Sequence, residues 1–320
     1  MTGPMRGCAL CGRRCNAVRG RGEKGRCGAG AEILVAQALI HPGEEPPLTG
    51  PRPGGSGAIF FSGCCLGCVF CQNYQISQSP GSGAPVSQGE LVDLMFRLKD
   101  AGAVNINLVS PTPYALKLAP ALARARSRGL GLPVVYNTGG YDSAEALSIM
   151  DGLVDIYLPD AKLAPPAGDS PGDPDGRSMR LLDVGDYPWV NRAALTEMRR
   201  QVGDLAVGGD GIASRGMLIR HLVLPDDLAR TTLLLPWLKE TFGTGVHLSV
   251  MNQYFPSHLV QIGPNRQFRD WPGLGRPLGA GEYDDVLRQM MELGFDNAFV
   301  QEPGASELLR PDFGKPDAFS

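Results

Sequence analysis

From about residue 58 onward, short β-branched and apolar runs alternate with stretches whose apolar positions recur every three or four residues. The runs at 58–62, 105–109, 132–136, 154–158, 217–223, 246–251 and 297–300 read as strands, being short, rich in Val, Ile and aromatic residues, and bounded by turn residues. Between them, amphipathic spacing predicts helices over 114–128, 143–150, 188–202 and 227–242, with Pro188 in a first turn and Pro236 bending or starting the last. A further helix begins at Ser87, which forms a capping box with Glu90. It carries Leu91, Leu94, Met95 and Leu98 on one face and ends at Gly102 in the left-handed conformation. Tyr283, Val286, Leu287 and Met290 repeat that spacing up to Gly294. Strands alternating with helices in this order build a parallel sheet, so the pattern predicts an α/β fold of six βα repeats plus one strand.

Three segments break the alternation. Residues 41–57 are rich in Pro and Gly and read as a connector. Residues 164–177 follow the fourth strand, which in a βα barrel puts them on the catalytic face, where they read as a flap. Asp210-Gly211 between two short extended runs is a hairpin signal, and Asp142 with Glu145 reads as a capping box. The plan that follows is a Cys-rich head over 1–40, the connector over 41–57, a barrel over 58–305 and a C-terminal tail over 306–320.

Composition adds bounds. Of 320 residues, 43% are hydrophobic and 20% charged, with 30 Lys and Arg against 33 Asp and Glu. That is ordinary globular usage, and a chain of this length buries roughly 75% of its unfolded surface, so its core needs no metal or disulfide. Any metal is then there for chemistry. No stretch reaches the ~18 apolar residues of a membrane span, and the opening residues lack the apolar run of a signal peptide. We therefore expect a cytoplasmic protein with no membrane partner. A net charge of −3 argues against nucleic-acid binding, although residues 1–30 hold seven basic side chains and one acid.

All eight cysteines fall in the first 71 positions, as Cys8, Cys11, Cys15 and Cys27, then Cys64, Cys65, Cys68 and Cys71. A secreted disulfide framework would spread its bridges along the chain, which leaves metal or cluster ligation. In the second group, Cys64, Cys68 and Cys71 form a CxxxCxxC loop directly after the first predicted strand, with Cys65 a bystander by spacing. A structural zinc loop would want a fourth ligand, and no other Cys or His stands at ligand spacing there; a Cys68/Cys71 redox pair is the remaining alternative.

This loop resembles the signature of the radical SAM superfamily. Together with His41-Pro42-Gly43-Glu44-Glu45, Cys71-Gln72-Asn73-Tyr74, Tyr157-Leu158-Pro159-Asp160 and Arg220-His221-Leu222-Val223-Leu224-Pro225, it resembles the uncharacterised branch related to pyruvate formate-lyase-activating enzyme. The resemblance implies a partial (β/α)6 barrel and a [4Fe-4S] cluster on Cys64, Cys68 and Cys71. One iron is left open to S-adenosylmethionine, which the superfamily cleaves reductively to a radical that abstracts hydrogen from substrate. By the same resemblance the cofactor would be met by Ser110 and Thr112, by Asn137 where the activating enzymes have an acid, by Asp160 and Lys162, and by Gln253. Arg220 rather than His221 would face the lumen, since neighbours on a strand point oppositely, and its guanidinium suits the methionine carboxylate. Glu302 could face substrate or form a salt bridge. The substrate implied is a glycyl-radical partner protein, or else a metabolite or peptide side chain.

Cys8, Cys11, Cys15 and Cys27 supply four thiolates, a closed set that suits zinc or an auxiliary iron-sulfur cluster. The basic residues around them fit docking of an acidic electron donor such as flavodoxin or ferredoxin. The reading from another class is a non-catalytic iron-sulfur or zinc protein, an electron carrier or scaffold, which would have no use for a barrel pocket.

Overall fold

The computed structural model describes residues 7–319 apart from 52–53, 80, 168–171, 262–267, 269, 302–310 and 316. Its frame is one sheet of ten strands among the described residues. These are β1 (Ile33–His41), β2 (Ser56–Phe61), β3 (Ala84–Val86), β4 (Ile106–Val109), β5 (Val134–Thr138), β6 (Ile156–Pro159), β7 (Ala206–Val207), β8 (Ala213–Leu222), β9 (His247–Met251) and β10 (Ala298–Val300). The order is β10-β9-β8-β6-β5-β4-β2-β1-β3, with β7 paired to β8. Every neighbouring pair from β2 to β10 along this path is parallel. The predicted α/β alternation is therefore present, as a partial barrel.

Helices α1 (Pro46–Thr49), α2 (Tyr74–Ser77), α3 (Gln88–Asp100), α4 (Ala115–Ser127), α5 (Ala144–Met150), α6 (Arg177–Leu182), α7 (Tyr187–Val202), α8 (Thr231–Phe242) and α9 (Ala280–Leu293) fill the connections. The longer ones pack on the outside of the sheet, where Leu91 and Met95 of α3, Leu118 and Leu122 of α4 and Leu195 and Met198 of α7 join the outward residues of the strands in one core. The Ser87 capping box forms on both sides: Glu90 N–H donates to Ser87 Oγ at 3.2 Å and Ser87 N–H to Glu90 Oε2 at 2.8 Å. The hairpin at Asp210-Gly211 closes between β7 and β8.

Two predicted boundaries move for local reasons. Asp142 is not a helix cap: Ser143 takes that role, its hydroxyl accepting from Ala146 N–H at 3.1 Å, while Asp142 is recruited into the core by three hydroxyls. Helix α8 starts at Thr231 rather than 227, because Asp226, Asp227 and Arg230 hold positive φ and form a turn first; Pro236 lies inside the helix.

β1 is the element the alternation did not predict. It lies within the Cys-rich head region, yet runs antiparallel to β2 from Val35↔Phe61 to His41↔Ser56, and so extends the barrel sheet. Its last residue, His41, pairs with the first residue of β2, whereas the cysteine loop follows the last residue of β2. The connector after His41 consequently enters at the N-terminal end of the barrel and becomes its floor. No helix among the described residues is long and apolar enough to cross a membrane.

Leu118→Ala, at a position with no solvent exposure, should cost about 2–5 kcal/mol of unfolding free energy. Ser87→Ala should cost about 1 kcal/mol through loss of the cap. Denaturant titration followed by circular dichroism measures both.

Candidate functional site

The cysteine loop leaves β2 and returns through α2, and the fold holds it at both faces by main-chain bonds. Gly67 N–H donates to Leu182 O at 2.9 Å and Val69 N–H to Leu181 O at 3.0 Å, so the α6 segment acts as a strap along it. Ser257 Oγ donates to Phe70 O at 3.0 Å, and Tyr114 hydroxyl to Ser62 O at 2.7 Å. At the turn out of β2 only glycine fits: Gly63 has φ +86°, and a Cβ there would stand 2.2 Å from the Cys27 carbonyl oxygen.

Burial governs the chemistry of the three thiols. It pushes Cys64 up to about 12 and Cys68 and Cys71 above the ordinary thiol value, with loop cysteines adding to the rise at Cys64 and Cys68 and Asp160 at Cys71. Such groups stay protonated in the free chain and become thiolates when a metal displaces the proton. Hydrogen-bond partners already stand at two sulfurs: Leu66 N–H points to Cys64 Sγ at 3.5 Å, and the Ser77 hydroxyl lies 3.3 Å from Cys71 Sγ. Among the described residues no group of three or more Cys, His, Asp or Glu side chains is drawn together to hold a single metal ion. A four-iron cubane is wider than one ion, and three soft sulfurs on one loop are the donor set it takes.

A cavity of about 410 Å³ fills the barrel lumen beneath the loop. Cys68, Cys71, Asn137, Asp160, Lys162 and Gln253 line its cysteine end. Asp160 and Lys162 pair at 2.5 Å. Burial works against the Lys162 ammonium, but the Asp160 carboxylate outweighs it and holds the lysine charged. Gln253 is fixed through its carbonyl, which accepts from Gln72 Nε2 at 2.9 Å, and through Oε1, which accepts from Gln301 Nε2 at 2.8 Å.

Other candidate residues go elsewhere. Thr112 Oγ1 donates to Asp142 Oδ1 at 2.7 Å, beside Thr138 and Tyr136 on the same carboxylate, and Ser110 shares with Thr112 a small separate cavity against Cys64 and Cys65. The Thr112 hydroxyl is thus engaged within the protein. Arg220 does face the lumen, and His221 points away, bonded to Ala161 O and Thr231 Oγ1 as a core histidine. The Arg220 guanidinium is already engaged: Nε meets Glu45 Oε1 at 2.8 Å, Nη2 meets Glu45 Oε2 at 2.6 Å, and Nη2 also bonds Glu44 Oε2. Glu302 lies outside the described residues. Spacing gave no sign that Glu44 and Glu45 would reach the lumen, although both belong to the quoted His41–Glu45 block.

The head packs directly on the loop. Cys8 N–H to Ala17 O and Asn16 N–H to Cys8 O fold its first residues into a hairpin, and a Cβ on Gly25 would lie 3.2 Å from Cys27 Sγ and 3.5 Å from Cys15 Sγ, so those two thiols converge. Cys65, outside the ligand spacing of the loop, stands beside Cys11 and, against burial, helps bring that thiol down to about 7. Arg13 donates to Cys65 O at 2.6 Å and pairs with Asp183 at 2.6 Å, and Arg19 bonds Cys27 Sγ. These two arginines therefore hold the head together, while Arg14, Arg21 and Lys24 are exposed.

With this geometry in hand, comparison with known proteins is informative. Residues 58–160 match the family model of the Radical SAM superfamily, whose members bind a [4Fe-4S] cluster and S-adenosylmethionine. An uncharacterized protein of Methanocaldococcus jannaschii is 26% identical over 301 residues, covering 91% of this chain and 76% of the relative. Among solved structures, Streptococcus suis SuiB bound to S-adenosylmethionine aligns over 76% of this chain and 49% of its own, at 13% identity and a TM-score of 0.49. SuiB bound to its precursor peptide SuiA aligns at 14% identity and 0.47. The chain spans about half the length of these solved structures.

Gly63→Ala should force the turn off the Cys27 carbonyl. We expect iron bound after anaerobic reconstitution to fall by half or more while the far-ultraviolet circular dichroism stays that of a folded barrel.

Proposed function

We propose that the chain is a radical S-adenosylmethionine enzyme, holding a [4Fe-4S] cluster on Cys64, Cys68 and Cys71 and abstracting a hydrogen atom from its substrate. The observation that carries this reading is the placement of three thiols of raised pKa on a strap-held loop over the barrel cavity. When bound, the cluster and cofactor supply one-electron cleavage of the sulfonium.

The chain's own residues do the rest. Asp160 offers a carboxylate to a ribose or ammonium donor, and Lys162 keeps the charge of that end balanced. Asn137 and Gln253 present amides to the same end of the cavity. Thr112 braces the turn behind it through Asp142, and Ser110 and Thr112 face the small cavity against Cys64, where they would meet the cofactor. The barrel walls and the connector below them surround the cavity and limit the access of water to a reactive intermediate. A glycyl-radical partner protein or a smaller molecule fits the reading as substrate. An electron carrier would need no such lumen.

We assign Cys8, Cys11, Cys15 and Cys27 to a second metal centre, zinc or iron-sulfur, which metal analysis of a Cys64, Cys68 and Cys71 variant identifies. A reducing cytoplasm suits eight free thiols. Flavodoxin or ferredoxin is the electron donor that the basic head favours.

Cys68→Ala should abolish reductant-dependent 5′-deoxyadenosine formation, a fall on the order of 100-fold or more, read by mass spectrometry of anaerobic reactions; equal yields from wild type and variant would reject the cluster assignment. Reversing Arg14, Arg21 and Lys24 to Glu should slow flavodoxin-driven turnover by roughly tenfold at low salt and flatten its salt dependence, without changing the dithionite-driven rate.

A further inference from the structure

The floor of the lumen carries a charged group of its own, met by Arg220, whose strand position neighbours Asp160. Glu44 and Glu45 meet a single guanidinium, Arg220, with side chains 6%, 7% and 15% exposed, so this end carries one negative charge in excess. Glu44 is fixed by a second bond, Asn107 Nδ2 to Oε1 at 2.7 Å. The pair Asp160 and Lys162 is balanced within itself and lends no counter-charge. Excess carboxylate charge out of water is costly unless a cation joins it.

A second observation points the same way. His41 is 7% exposed and lines the same cavity, and its Nδ1 is buried with no hydrogen-bond partner. Desolvation lowers its pKa against the pull of Glu44, which favours the neutral ring, and Nδ1 is left without a protein partner. Its face is packed on Phe319, ring centroids 4.0 Å apart, which fixes its direction.

We propose that this floor receives the cationic end of the substrate, an alkylammonium or guanidinium group, seated on the Glu44 and Glu45 carboxylates with His41 Nδ1 accepting one of its N–H donors. An ammonium brings three donors and one positive charge, which matches both the acceptors and the excess charge. A carboxylate or phosphate end would instead face two carboxylates in a desolvated site, a juxtaposition that recognition sites use for rejection. The assignment deepens the enzymatic reading, which supplies the word substrate, but the charge argument belongs to the floor itself.

The test is calorimetric titration of n-hexylammonium and of hexanoate into the cluster-loaded, unreduced protein saturated with S-adenosylmethionine. The proposal expects one saturable site for the amine and none for the acid. Glu44→Gln should weaken amine binding on the order of tenfold or more, and Glu44→Asp should keep most of it. Hexanoate binding as well as hexylammonium, or unchanged amine affinity in Glu44→Gln, overturns the assignment. Should Glu44→Gln fail to fold, the amine-against-acid comparison in the wild type decides alone. Amine binding in a protein that forms no 5′-deoxyadenosine would reject the enzymatic reading and leave the cation site standing.

Discussion

A thiol desolvated by its surroundings holds its proton, and on the loop Cys64 and Cys68 hold it more firmly still because neighbouring cysteines oppose their ionisation. The loop that carries Cys64, Cys68 and Cys71 is consequently neutral when empty and takes up charge only as metal enters. Its shape cannot come from charge in the free chain. It comes from main-chain bonds to Leu181 and Leu182, from the Ser257 hydroxyl, and from a glycine turn pressed on the head. The strap, the head and the first strand all converge on keeping one loop in place.

The lumen below holds two charged groups on neighbouring strands. The cysteine end has a balanced pair, Asp160 and Lys162, and amides that suit a zwitterionic cofactor. Beside it, Arg220, the bridge partner of Asp160 across the sheet, gathers two carboxylates, and His41 adds a buried Nδ1 without a partner. The connector creates this contrast, because it enters where β1 ends, at the base of β2, and carries Glu44 and Glu45 inward. Removing Glu44 would leave Arg220 held by Glu45 alone, a balanced pair, so the excess charge rests on having both carboxylates.

Much of this was legible in the chain because periodicity is a local property. The seven parallel strands and the long helices follow from apolar spacing, and the cluster loop from three cysteines at fixed intervals. What escaped depended on distant partners. β1 sits beside a Gly-rich head and shows its role only by pairing with β2. Glu44 and Glu45 lie in a Pro-rich stretch that looks solvated, and their partner Arg220 is about 175 positions away along the chain. Asp142 and Ser143 are both good cap residues, and the choice between them was made by Thr112, Thr138 and Tyr136 in the core. Cys65 seemed idle by spacing because its contact, Cys11, belongs to the other cysteine group.

The central claim is that the loop carries a cubane with one iron open to a ligand from the lumen. Electron paramagnetic resonance of the anaerobically reduced protein, recorded with and without S-adenosylmethionine labelled with ¹⁵N at the amino group, addresses it most directly. The account predicts a [4Fe-4S] signal that changes on adding the cofactor and acquires a ¹⁵N coupling, both lost in Cys68→Ala. A signal indifferent to the cofactor, or a loop filled with zinc and silent throughout, would contradict it.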